Sequence, residues 1–229
     1  MDRTVPTGAA MLLDFIGGIE APNGYGTIFA NKQSKLAKPL TEMTLDEVLV
    51  AQKAWSKNHG SSAAGRYQFM RATLVGLIAE LGLRGSQKLD ADLQDRLGYH
   101  LLKRRGYDDY MTGKIDRTEF GKRLAQEWAS LPVLANMQGA HRKLTRGQSY
   151  YAGDALNKSL TSPEKLETVL VLVRKAPDAP PQPAQEAPKP VPATPEPPKA
   201  QPAPTPAPVA KRSLLQIIID FISQLKWSR

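Results

Sequence analysis

No cysteine occurs anywhere in the chain. That excludes disulfides, thiolate metal sites and thiol catalysis, and leaves the compartment open. The three histidines, His59, His100 and His141, show no metal-ligand spacing, so neither a metal nor another cofactor is expected. Zinc-finger spacings and aromatic-rich RNA-binding strands are missing too, so nucleic acid is not an expected partner. The first residues, Met1-Asp2-Arg3-Thr4, lack a basic leader region and a small-residue cleavage site. The apolar run that follows contains Asp14 and ends in Glu20, and it reads as a domain helix rather than a signal peptide. Long apolar runs are also wanting. The apolar stretch near the C-terminus covers about seventeen residues and is interrupted by Asp220, short for a membrane-spanning helix.

What is present is unevenly distributed. Fourteen of the nineteen prolines lie between Pro177 and Pro208. That stretch carries too little apolar bulk to offset the entropy of ordering a chain. The expected organisation is a folding unit over 1–175, a Pro-rich linker over 176–210, and a basic amphipathic helix over 211–229. With Lys and Arg at its ends, Trp227 and an apolar majority face, the last segment suits the surface of a membrane. The net charge is +9, most of it on the folding unit. A basic domain suits a polyanion: nucleic acid, anionic lipid or bacterial cell wall.

Periodicity makes the folding unit mainly helical. A helix is expected over 8–19 with Thr7 as cap. Thr44-Leu45-Asp46-Glu47 reads as a capping box opening a second. A third is expected from about Gly65 to Leu81. Leu89, Leu93, Leu97 and Leu101 recur every four residues and mark another over about 86–105. Phe120, Leu124, Trp128 and Leu131 mark a helix ended by Pro132. Ser162-Pro163-Glu164 places a cap and a first-turn proline before the last one. Residues 22–40 suggest a short β-hairpin or an irregular loop. The fold class is therefore α+β, mainly α, with a small hairpin or loop lobe.

Glu20 is the leading candidate for chemistry. It closes an apolar helix, faces the turn signal Pro22-Asn23-Gly24, and is followed by residues 21–41, which hold no Asp or Glu. Its apolar neighbours Ile19, Ala21 and Pro22 are expected to raise its pKa. The second landmark is Ser61-Ser62-Ala63-Ala64-Gly65-Arg66-Tyr67-Gln68. Gly65 would let a ligand approach the backbone. Gln68 offers a donor and an acceptor to sugar hydroxyls and N-acetyl groups. Tyr67 can stack or hydrogen-bond, or sit with Phe69 in the core. Arg66 suits steering of wall carboxylates, or is a solvated side chain. Tyr25, Thr27, Tyr150 and Tyr151 complete the candidate binding residues. Trp128 is expected in the core rather than the groove.

Glu20 followed by Gly65-Arg66-Tyr67-Gln68 is similar to the lytic transglycosylase pattern of a catalytic Glu followed by a Gly-Leu-Met-Gln-type motif. Ser61–Gln68 together with Trp128-Ala129-Ser130-Leu131-Pro132 resembles the family of the phage lambda endolysin. Ser149-Tyr150-Tyr151-Ala152-Gly153 is similar to a Tyr-Asn-Ala-Gly element of transglycosylase domains, with Tyr151 where Asn is usual. The resemblance spans about residues 10–155. It implies a lysozyme-like fold and cleavage of the peptidoglycan glycan strand by one Glu, with peptidoglycan as the partner of a monomeric enzyme acting at the wall.

Most glycosidases use two carboxylates. The acid-free stretch after Glu20 favours a route in which Glu20 is both acid and base. Thr27 or Asn31 positioning a water would give a hydrolytic lysozyme instead. A different class, a catalytically inert wall-binding adaptor tethered to a membrane, remains the competing reading, and a membrane-disrupting tail is a third.

Overall fold

The first helix owes its place to spacing. In the run Thr7–Glu20 (α1), Ala9, Leu12, Leu13 and Ile16 recur at three- and four-residue intervals and are fully buried. Burial of each larger side chain contributes about 1.5–3 kcal/mol. A computed structural model describes residues 1–153 and 157–176 of the chain. Among them the remaining helices are Leu45–His59 (α2), Arg71–Glu80 (α3), Ala91–Arg104 (α4), Tyr107–Met111 (α5), Arg117–Glu127 (α6) and Pro163–Lys175 (α7). A two-stranded antiparallel sheet pairs Met137–Gln138 (β1) with Lys143–Leu144 (β2). Most of the linker over 176–210, and all of 211–229, lies outside the described residues.

α1 packs between α4 and α7 and is the axis of one continuous core. Gly8 permits the approach of α7, because a Cβ there would lie 2.7 Å from the Tyr107 hydroxyl and 3.0 Å from the Val173 carbonyl. At the far side of the core Tyr110 stacks on Phe120, ring centroids 4.7 Å apart. The expected caps are in place. Thr44 and Glu47 form the reciprocal capping box of α2, and the Ser162 hydroxyl accepts from the Lys165 amide at the start of α7. Each such cap contributes about 1 kcal/mol.

Several expected boundaries move. α1 starts at Thr7, so Pro6 rather than Thr7 occupies the cap position, without a side-chain bond. Of the two alternatives for residues 22–40, the irregular loop is the one formed: three short 3-10 turns, Phe29–Asn31, Gln33–Lys35 and Leu40–Glu42, connect α1 to α2. The hairpin lies instead at 137–144, a polar stretch without the alternation that would announce strands. α6 stops at Glu127, and Trp128 begins an extended turn rather than continuing the helix.

The largest correction concerns Gly65. It does not open a helix, since α3 begins only at Arg71. Ala64 and Phe69 exchange two backbone hydrogen bonds, at 3.2 and 2.8 Å, and close a tight turn over Gly65–Gln68. Gly65 sits at φ +78 and Gln68 at φ +49, a region closed to helix. Buried Gln52 of α2 fixes the turn from inside, donating to the carbonyls of Ser62 (2.7 Å) and Phe69 (2.9 Å). The turn in turn holds the loop after α1: Gly65 donates to the Thr27 carbonyl at 2.7 Å, and Phe29 to the Ala63 carbonyl at 3.1 Å.

Candidate active site

This pairing of loop and turn makes one side of a cleft of about 670 Å³. Pro22 and the segment Thr27–Asn31 come from the loop, and Ser61, Ala63, Gln68 and Met70 from around the turn. The facing wall is Glu127–Ser130, with Tyr151, Asn157 and Lys158 beyond it. Glu20, the last residue of α1, lies among these groups.

Glu20 is half-buried, and it borders the cleft. Burial pushes its pKa up; a hydrogen bond from Ser130, whose hydroxyl donates to Oε1 at 2.5 Å, pulls the other way and does not prevail. The sequence anticipated the direction from neighbouring apolar residues. In the structure the main cause is burial. A carboxyl with a raised pKa, held by one donor at the edge of a cleft, is suited to giving up a proton and taking one back.

The other candidates separate into two groups. Thr27, Gln68 and Tyr151 border the cleft with Glu20. Thr27 is buried, and its hydroxyl has no hydrogen-bond partner among the described residues, an exception in a protein interior that a bound water or substrate group would resolve. The Gln68 carboxamide donates to the Gly65 carbonyl at 2.8 Å, which fixes its orientation. Tyr151 donates to the Gln126 carbonyl at 2.7 Å and stands edge-on to Tyr150.

Tyr25, Gly65, Arg66, Tyr67 and Tyr150 are not among the cleft-lining residues. Tyr25 and Tyr67 both donate to Oδ1 of Asp95, at 2.9 and 2.6 Å, and Asp95 is fully buried. Burial and that carboxylate push the Tyr25 phenol up to about 12. The space above Gly65 is taken by the Gln94 side chain rather than left to a ligand. Gln94 also accepts from the Arg66 amide at 2.8 Å and donates to the Tyr25 carbonyl at 3.1 Å. Arg66 lies over the Tyr25 ring and pairs with Asp14 at 3.1 Å. These residues support the cleft walls from behind.

Ser130, Glu127 and Phe29 are among the cleft residues not singled out from sequence as site groups. Ser130 lies in the Trp128–Pro132 motif but has no local mark as a partner for Glu20. Glu127 puts a second carboxylate on the cleft wall, but it is mostly buried and bonded to the Arg105 guanidinium at 2.7 Å. Phe29 is 40% exposed beside the cleft. Trp128 is buried, as expected, and its indole donates to the Tyr67 carbonyl at 3.2 Å; it borders the cleft as well. The non-glycine residues with positive φ among those described are Ala30, Asn31 and Gln68, and all three line this cleft. Such conformations cost about 1–3 kcal/mol each and gather where geometry serves a site.

Among the described residues no group of three His, Asp or Glu side chains is placed to hold a metal ion, and no helix is long and apolar enough to cross a membrane. The architecture defines a mainly helical protein whose cleft holds two carboxyls, Glu20 with its pKa raised by burial and Glu127 paired with Arg105. Residues 45–154 match the family model described as Endolysin, and over that stretch the chain is endolysin-like. The match takes in Gln68, the Glu127–Ser130 wall and Tyr151, while Glu20 and Thr27 precede it. Searches of curated proteins and of solved structures return no match.

Proposed function

We propose that the chain is a muramidase that cleaves the β-1,4 bond between N-acetylmuramic acid and N-acetylglucosamine in bacterial peptidoglycan, with Glu20 as the sole acid–base group. The observation that carries this reading is the Glu20 carboxyl, half-buried, raised in pKa and bordered by a loop wall without another acid. Glu20 gives its proton to the glycosidic oxygen, which leaves as the 4-hydroxyl of N-acetylglucosamine. The carboxylate so formed then takes the proton of the 6-hydroxyl of the muramic acid. That oxygen bonds to C1, closing a 1,6-anhydro ring and leaving Glu20 protonated again. Glu127 is committed to Arg105, which supports a route without a second carboxylate. The endolysin match supports a phage lysis setting, and the basic segment 211–229 would tether the enzyme to a membrane surface.

The unpartnered hydroxyl of Thr27 supports a second reading, in which a water held there attacks C1 and the enzyme hydrolyses the bond. An inert wall-binding adaptor is the reading of a different class. Turbidity loss of a cell-wall suspension separates enzyme from adaptor: Glu20→Gln abolishes clearing and keeps wall binding, whereas equal clearing by both chains would remove Glu20 from the reaction.

A further inference from the structure

A second cavity of about 480 Å³ adjoins the cleft. The two share Asn157 and Lys158. The segment Gln148–Gly153 is their common wall, with Tyr151 on the cleft side and Gln148, Ser149, Ala152 and Gly153 on the other. Arg142 completes the second cavity. Its volume is in the range that small ligands occupy.

Its chemistry differs from that of the cleft. The cleft is bordered by two carboxylates, a tryptophan and a tyrosine; the second cavity has no acid and no aromatic side chain among its described lining residues. It has two cations, Arg142 and Lys158, both exposed and neither bonded to an acid among the described residues. Arg146 and Arg105, by contrast, are paired, with Glu164 and Glu167 and with Glu127. Asp154, the one nearby acid in sequence, lies outside the described residues. A guanidinium and an ammonium in one cavity with serine and glutamine suit a carboxylate on a polar chain, not the face of a sugar ring.

We propose that this cavity binds the carboxylate-bearing stem peptide that branches from the glycan strand held in the cleft. The assignment rests on the muramidase reading. In such a strand every second sugar carries a peptide through its lactyl ether, so a strand in the cleft projects anionic branches sideways. Arg142 and Lys158 receive the carboxylates; the Gln148 amide, whose Oε1 already accepts from Thr145, donates through its NH2 to a peptide carbonyl, and the Ser159 oxygen, whose hydroxyl donates to Thr161, accepts from a peptide N–H. The cavity thereby selects strands that still carry their peptides and sets which sugar stands at Glu20.

Binding is measured with the Glu20→Gln chain, full length, on soluble glycan strands with their stems and on the same strands stripped by an amidase. Strands with stems are expected to bind about tenfold more tightly at low salt, with the difference shrinking as salt rises. Adding Arg142→Glu, or independently Lys158→Glu, brings the two affinities together. Equal affinities in the parent, or a preference that survives Arg142→Glu in a chain with unchanged melting, overturns the assignment. Cleavage by the unmodified chain is followed on the same strands. If it cuts neither, the muramidase reading fails; if it cuts both and the parent shows no preference in binding, only the stem site is lost.

Discussion

Ser130 and Glu20 stand 110 residues apart in sequence and meet across the cleft at 2.5 Å, the serine hydroxyl donating to the carboxyl. That bond favours the ionised form and partly offsets burial, which favours the neutral one. Ser130→Ala removes the offset. The pKa of Glu20 then rises further, and the alkaline limb of the pH–activity profile moves up with it. A limb that stays in place, or moves down, would show that Ser130 does not tune this acid.

Glu20→Gln is expected to lower the rate of strand cleavage by at least about 100-fold. It should also make the fold more stable at neutral pH. The folded-state pKa of Glu20 lies above its unfolded value. Its favourable contribution is therefore complete below the unfolded pKa, about 4.3, and is lost as pH rises through the folded one. Glutamine carries no charge to desolvate. Thermal melting at about pH 7 should find Glu20→Gln above the parent, with the difference closing toward pH 4. A lower melting temperature across the whole range would contradict the placement of Glu20 as a half-buried, costly carboxylate.

Asp95 joins the loop and the turn that together make one wall of the cleft. Its Oδ1 accepts from Tyr25 on the loop and from Tyr67 on the turn, and its Oδ2 accepts from the Asp2 amide at 2.7 Å. In Asp95→Asn one acceptor becomes an NH2 facing another donor. The expected loss is about 1–3 kcal/mol in denaturant unfolding, with a fall in kcat as Thr27 and Gln68 lose their fixed spacing. Full stability and full activity in this variant would remove the supporting role.

Gly65 and Gly24 provide an internal comparison. Both have positive φ, +78 and +85, but a Cβ on Gly65 would run into the Gln94 side chain while one on Gly24 meets nothing within 4 Å. Gly65→Ala should therefore be the more destabilising by about 1 kcal/mol or more. Similar melting of the two variants would mean that Gln94 can withdraw, and that the space over Gly65 is open to a ligand after all.

Legibility in the sequence followed the range of the interactions. Thr44 with Glu47, and Ser162 with Pro163, are local devices, and each stands where its spacing puts it. The leucines at 89, 93, 97 and 101 are all buried, as one apolar face demands. Gly65–Gln68 was misread as a helix start because small residues before an apolar run fit one; the positive φ of Gln68 and the grip of Gln52 come from tertiary structure. The shared acceptor of Tyr25 and Tyr67 was not legible, because nothing near either tyrosine in sequence reveals the buried Asp95, 70 and 28 residues away. The stretch 21–41 brings no carboxylate to the cleft, but Glu127 enters it from a distant helix end, where only folding could place it.

The central claim, that Glu20 alone supplies acid and base, is tested most directly by the products of purified peptidoglycan digested with the intact chain. Mass spectrometry should find glycan fragments ending in 1,6-anhydro-N-acetylmuramic acid, one water lighter than the hydrolytic product. Fragments ending only in reducing muramic acid, with no anhydro form, would contradict it and assign the attack to a water.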